Sequence, residues 1–172
     1  DLAFKFAHEA DPHALLFYND YGGEGMNTKS DKIYRLVKDM LARGVPLHGV
    51  GIQCHFVAGE IDTAGIDTNI KRLAALGLKV SVTELDIRLK LPADGAMLAR
   101  QGEEYRALMN VFLKNPTCCT AFLTWGITDT YSWIPQFFKG YGAALPFDEN
   151  NALKPAGKGL RDALSAAVPD GK

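Results

Sequence analysis

Val80-Ser81-Val82-Thr83-Glu84-Leu85-Asp86-Ile87 is an apolar, β-branched run that ends abruptly in a carboxylate. A strand buried on both faces reads as such a run, and in a β/α barrel the C-terminal strand ends carry the working groups. Glu84 is therefore the leading candidate for a working residue. The plainer reading is a solvated strand end, and only the neighbouring segments separate the two.

Those segments repeat one pattern. Upstream, Asp1 to Ala10 has helical apolar spacing and is stopped by Asp11-Pro12, since the residue before proline avoids the helical region. Ala14 to Phe17 reads as a short strand closing in Tyr18-Asn19-Asp20-Tyr21 and the loop Gly22-Gly23-Glu24-Gly25. Ser30 is then the expected N-cap of a helix through Ile33, Leu36, Val37, Met40 and Leu41, stopped at Gly44. A strand at Gly49 to Ile52 leads into Gln53-Cys54-His55-Phe56, a loop, and a helix around Ile70, Leu73 and Leu76. Leu78 to Thr83 is the third strand, Glu84 to Gly95 its loop and Met97 to Leu113 its helix. The fourth unit runs from Thr120 to Thr124 into Trp125-Gly126, through a long aromatic loop, to a helix near Gly157 to Ala167.

Strands alternating with helices at about 30 to 40 residues imply parallel β/α units, of the α/β class. The strand ends are the polar or aromatic ones in every unit, as a barrel requires; an open doubly wound sheet shares that property. No glycine-rich phosphate loop of the nucleotide-binding kind follows any strand. A complete eight-stranded barrel takes about 250 residues, and this chain of 172 holds about four units. The fold expected is half of a (β/α)8 TIM barrel. Its open edges would expose unpaired backbone and apolar helix faces, so it should associate with a second copy or need a missing N-terminal half-barrel.

A chain 47% hydrophobic and 23% charged is suited to a folded domain with a sizeable core. Its net charge of −1, without a Lys/Arg block, argues against nucleic acid or an anionic membrane as partner. No apolar run is long enough for a membrane span and no signal segment opens the chain. A start at Asp1 without Met fits processing, truncation or partial coverage of a longer protein. Cys54, Cys118 and Cys119 read as small core residues, with a bridge from Cys54 to either of the others left open.

Tyr18-Asn19-Asp20-Tyr21, Gly51-Ile52-Gln53-Cys54-His55, Val82-Thr83-Glu84-Leu85-Asp86 and Trp125-Gly126-Ile127-Thr128-Asp129-Thr130-Tyr131-Ser132-Trp133 fall in this order on successive strand ends. Together they resemble the family 10 glycoside hydrolases, mostly secreted retaining endo-β-1,4-xylanases built on a (β/α)8 barrel. The resemblance covers residues 1–172 and matches only the second half of that family's catalytic domain, strands five to eight. It implies xylan or xylo-oligosaccharides as substrate, a secreted location, and no metal or other cofactor.

By this resemblance Glu84 is the catalytic nucleophile, attacking the anomeric carbon to form a glycosyl-enzyme intermediate. Gln53 and His55 would face the same cleft, hydrogen-bonding the sugar and the nucleophile, and Asp86 would hold His55 and fix its tautomer. Two-residue alternation sets Asp86 on the same side as Glu84. Hydrogen bonds to a charged carboxylate favour its ionised form, as a nucleophile requires. Trp125 would lie beneath the sugar at the cleavage point, Trp133 would cover it from the loop, and Asn19 and Tyr21 would complete the substrate contacts, Tyr21 on the leaving-group side. Flat aromatic faces suit the C–H faces of pyranose rings. Tyr131 and the Phe137-Phe138 pair read as packing residues, and His8, His13 and His48 as surface or helix-cap residues.

One element of the family's pattern is missing. Its general acid/base is a Glu directly after an Asn at the end of strand four, ahead of anything matched here. Asp20, Glu24, Glu60 and Asp129 are the nearby carboxylates that could replace it, and a replacement would need a raised pKa at one defined position. The readings left open are an enzyme whose acid/base lies outside this chain, an inactive half-barrel that self-associates and at most binds sugar, and a related retaining glycosidase acting on another β-linked polymer.

Overall fold

Four β-branched or aromatic runs pair in parallel, and amphipathic helices return the chain to the start of each next strand. The computed structural model describes residues 1–168. The order is α1 (Leu2–Ala10), β1 (Phe17–Asp20), α2 (Thr28–Ala42), β2 (Gly49–Ile52), β3 (His55–Val57), α3 (Thr63–Ala74), β4 (Lys79–Lys90) and α4 (Gly95–Leu113). Then come β5 (Cys119–Thr124), a 3₁₀ turn (Asp129–Tyr131), α5 (Ile134–Phe137), β6 (Tyr141–Gly142) and α6 (Pro155–Ala167). The parallel ladder runs β1-β2-β4-β5, with β3 pairing the upper part of β4. Among the described residues β1 pairs only with β2 and β5 only with β4, so the sheet is not closed.

The core lies between sheet and helices. Val50, Ile52, Val80, Val82, Leu85 and Ile87 meet Val37 and Met40 of α2, Ile66, Ile70 and Leu73 of α3, and Tyr105 and Leu108 of α4. Helices α4 and α6 approach closely through glycines: a Cβ on Gly159 would collide with the Gly102 carbonyl, and one on Gly102 would sit 2.7 Å from the Pro155 oxygen. None of the described helices is long and apolar enough to cross a membrane.

Several boundaries differ from the sequence reading, each for a local reason. The first strand is Phe17–Asp20, not 14–17, because Tyr18-Asn19-Asp20 themselves pair with Val50-Gly51-Ile52. Asn27 is the N-cap of α2, accepting from the Ser30 N–H while the Ser30 hydroxyl accepts from Asn27 N–H; Ser30 is the far half of a capping box. Glu84 to Lys90 is strand rather than loop. All three cysteines are free and buried, so no bridge forms. His48 is no surface residue: its Nδ1 accepts from the Leu16 N–H at 3.0 Å, tying the entrances of β1 and β2 together.

Candidate active site

The site stands on β4. Strand pairing on both sides of it shows an extra residue near Glu84: Ile52 pairs with Val82 and His55 with Asp86, while Phe122 pairs with Val82 and Thr124 with Leu85. A β-bulge of this kind re-aims a side chain and breaks simple alternation. Glu84 emerges half-buried at the mouth, whereas Asp86 is 0% exposed. Both nonetheless reach His55. The His55 Nε2 lies 3.3 Å from Glu84 Oε2 and its Nδ1 lies 3.1 Å from Asp86 Oδ2, the latter bent away from an ideal hydrogen-bond line. Burial works to lower the His55 pKa, but the close contact and charge of Asp86, and then of Glu84, outweigh it and raise it above 6.5.

Asn19 serves the other Glu84 oxygen, its Nδ2 donating to Oε1 at 2.9 Å. The Thr83 hydroxyl donates to Asn19 Oδ1 at 2.9 Å, which fixes the direction of the amide. Gly51 makes room for this arrangement, since a Cβ there would press on Asn19 Oδ1. Asn19 thus holds Glu84 rather than standing free for a sugar.

Gln53 and His55 flank a break between β2 and β3 at Cys54, whose φ of 68° is left-handed and strained for a non-glycine residue. Glu24 stabilises the break. Its buried carboxylate accepts from Cys54 N–H at 3.1 Å and Gly22 N–H at 2.9 Å, and Asn69 anchors its loop by donating to the Gly23 and Glu24 carbonyls. The Gln53 carbonyl accepts from the Glu84 N–H at 3.1 Å, so the break and the bulge are joined.

A cleft of about 540 Å³ opens here, lined by Tyr21, Gln53, His55, Glu84, Trp125 and Trp133, with Arg88 and Phe138 beside them. The expected site residues therefore converge. Trp133 packs edge-on to His55 at 5.1 Å between ring centres, and its indole N–H donates to Asp86 Oδ2 at 2.7 Å. Trp125 is 49% exposed, an aromatic face open to the cleft. Tyr21 is held from one side by Lys29, whose ammonium sits 3.7 Å from the ring centre and also pairs with Asp20 at 2.8 Å.

Sequence reading does not single out Arg88 or Thr83, and it gives Glu24 and Phe138 other roles, a possible acid and loop packing. Arg88 was within reach, lying two residues beyond Asp86 on the same strand; Glu24 carries no local signal beyond a carboxylate among glycines. Phe138 packs in the loop as expected and also forms cleft wall beneath the Arg88 guanidinium at 4.1 Å. Tyr131, at 86% exposed, is not a packing residue, and Phe137 is exposed apart from its contact with Trp133.

None of the nearby carboxylates stands as a second acid facing Glu84. Burial tends to raise Asp20, but donors from Lys29, Tyr18 and the Tyr21 N–H hold it below the usual range, the wrong direction for an acid. In return Tyr18 is pushed up to about 12 by burial and by Asp20. Glu24 is committed to backbone N–H groups, Glu60 borders a separate pocket with Asp62, and Asp129 is buried against Lys154 at 2.6 Å. Among the described residues no group of three or more His, Cys, Asp or Glu side chains could hold a metal ion.

The sequence profile of glycosyl hydrolase family 10 matches residues 1–163. Endo-1,4-beta-xylanase B of Thermotoga neapolitana is 42% identical over 171 residues, covering 99% of this chain and 49% of that protein. Endo-1,4-beta-xylanase C of Phanerodontia chrysosporium is 41% identical over 165 residues, covering 96% and 41%. Among solved structures, xylanase 10B from Thermotoga petrophila RKU-1 in complex with xylobiose superposes with a TM-score of 0.95 at 39% identity, over 98% of this chain and 51% of that one. Native xylanase 10B from Thermotoga maritima gives 0.93 at 40% identity, over 96% and 51%. This chain spans about half the length of these relatives, and their (β/α)8 barrel is here an unclosed parallel half.

Proposed function

The chain belongs to glycosyl hydrolase family 10, and from that premise we propose that residues 1–172 are the C-terminal half of the catalytic domain of a retaining endo-1,4-β-xylanase. The observation that carries this reading is the double grip on Glu84: Asn19 donates to one carboxylate oxygen and His55 contacts the other, in a cleft lined by two tryptophans. In this reading Glu84 is the nucleophile. One of its oxygens bonds to the anomeric carbon as the bond from that carbon to the leaving oxygen breaks, and water later releases the sugar with retained configuration. His55, held and kept protonated more readily by Asp86, positions Glu84 and offsets its charge, while Gln53, Tyr21, Trp125 and Trp133 seat xylan or xylo-oligosaccharides.

Protonation of the leaving oxygen needs a second carboxyl about 5 to 5.5 Å from the first. We assign it to a Glu outside this chain, in an N-terminal half-barrel that would also close the sheet. A polymeric substrate cannot cross a membrane, which favours a secreted place of action. A second reading follows from the unclosed sheet and from Glu84 being, among the described residues, the single carboxylate lining the cleft: an inactive half-barrel that self-associates and binds sugar without cutting it.

A 2-deoxy-2-fluoroxylobioside with a dinitrophenolate leaving group separates the two. Dinitrophenolate departs without protonation, so the trap needs only the nucleophile and the sugar seat. The expected result is a covalent mass gain on the peptide carrying Glu84, absent in Glu84→Gln. An adduct on another residue overturns the assignment of the nucleophile, and no adduct at all favours the inactive half-barrel.

A further inference from the structure

Next to the cleft lies a smaller pocket of about 190 Å³, lined by Arg88, Lys90, Arg100, Tyr141, Val57 and Met97 among others. Among the described residues three cations line it and no carboxylate does, in a chain whose net charge is −1. Among the described residues neither Arg88 nor Lys90 has an ion-pair partner, while Arg100 pairs loosely with Glu104 at 3.6 Å and donates to the Gly59 carbonyl at 3.5 Å. Arg88 borders both cavities. Its guanidinium lies over the Phe138 ring at 4.1 Å and 5.8 Å from that of Tyr141. Stacking by its flat face leaves the N–H edge free, the edge that grips a carboxylate in a two-pronged fashion.

Resting on the reading of the cleft as a seat for a β-linked xylose chain, we propose that this pocket is a subsite for an acidic branch, a uronic acid carried on the xylose backbone. The backbone itself is uncharged and has no use for three cations. A uronate carboxylate is the anionic group that sugar chemistry supplies directly, by oxidation of C6 of a hexose. Four residues of extended strand separate Arg88 from Glu84, about 13 Å along β4. That distance sets the pocket above the floor of the cleft, where a branch rather than the main chain reaches.

Calorimetry on this chain tests it with four ligands: a linear xylo-oligosaccharide, the same backbone with one glucuronosyl branch, the branched compound as its methyl ester, and free glucuronate. The branched acid should bind at least about fivefold tighter than the linear compound. Esterification or about 0.5 M salt should erase that gain, and free glucuronate should bind far more weakly than the branched acid. Arg88→Gln, and separately Lys90→Gln with Arg100→Gln, should reduce the ratio of branched to linear affinity towards one, while Arg88→Lys should keep part of it. Equal affinity for branched and linear ligands, or a gain that survives these substitutions in folded protein, overturns the subsite and leaves the cleft reading standing. Free glucuronate binding as tightly as the branched acid points to a generic anion site and overturns the proposal. Absence of any binding, linear ligand included, removes the cleft reading and the subsite with it.

Discussion

At Asp86 a single oxygen, Oδ2, serves the Trp133 indole at 2.7 Å and the His55 ring at 3.1 Å. Replacing that carboxylate by an amide should be felt at both partners. The His55 pKa is raised in the fold, so the stability it contributes is full below pH 6.5 and fades as pH rises through its higher folded value. We expect NMR titration of the His55 ring to give a midpoint above 6.5 that falls in Asp86→Asn, with a flatter dependence of urea stability as pH rises above 6.5. An unchanged midpoint would show that Asp86 does not set the charge of His55. Glu84, His55 and Asp86 were legible in the sequence because each sits at a strand end with its motif around it. The Asp86 bond to Trp133 was not, since 47 residues separate the two. Nor was the Glu24 clamp on Cys54, because a left-handed non-glycine residue is dictated by its distant partner and not by its own sequence.

Element by element, the alternation of β and α was readable in the four main units, since continuous β-branched runs and 3.6-residue periodicity are local properties, but not in the short β3, α5 and β6. What escaped was irregularity. The bulge in β4 and the break between β2 and β3 leave the hydrophobic pattern intact and change only where side chains point, so two-residue counting from Glu84 to Asp86 reached the right His55 contact by the wrong geometry. Helix packing is written more openly, in glycines: Gly102 and Gly159 permit α4 and α6 to touch backbone to backbone. Gly159→Ala should destabilise the chain by about 1–3 kcal/mol through overpacking, outweighing the gain in helix propensity. A urea midpoint equal to or above that of the parent chain would mean the two helices separate freely.

For the molecule as a whole, the outer edges of β1 and β5 are unpaired among the described residues, and Phe6, Leu15, Leu123, Ile127 and Leu164 are exposed apolar side chains. An apolar groove of about 580 Å³ runs between β5 and α6. Such surface favours association, so sedimentation should report a mass above 18.8 kDa at micromolar concentration. A monodisperse monomer that unfolds cooperatively would show that the edges are tolerated in water. The grip on Glu84 has a further consequence. Its partners all belong to this chain, Asn19 on the outer strand β1 and His55 and Asp86 on β3 and β4 within the sheet. On the proposed reading the floor of the cleft is thus a transplantable unit: a chimaera joining it to the front portion of a different relative should inherit the poise of Glu84 unaltered, with specificity for the far end of the proposed polymer supplied by the donor.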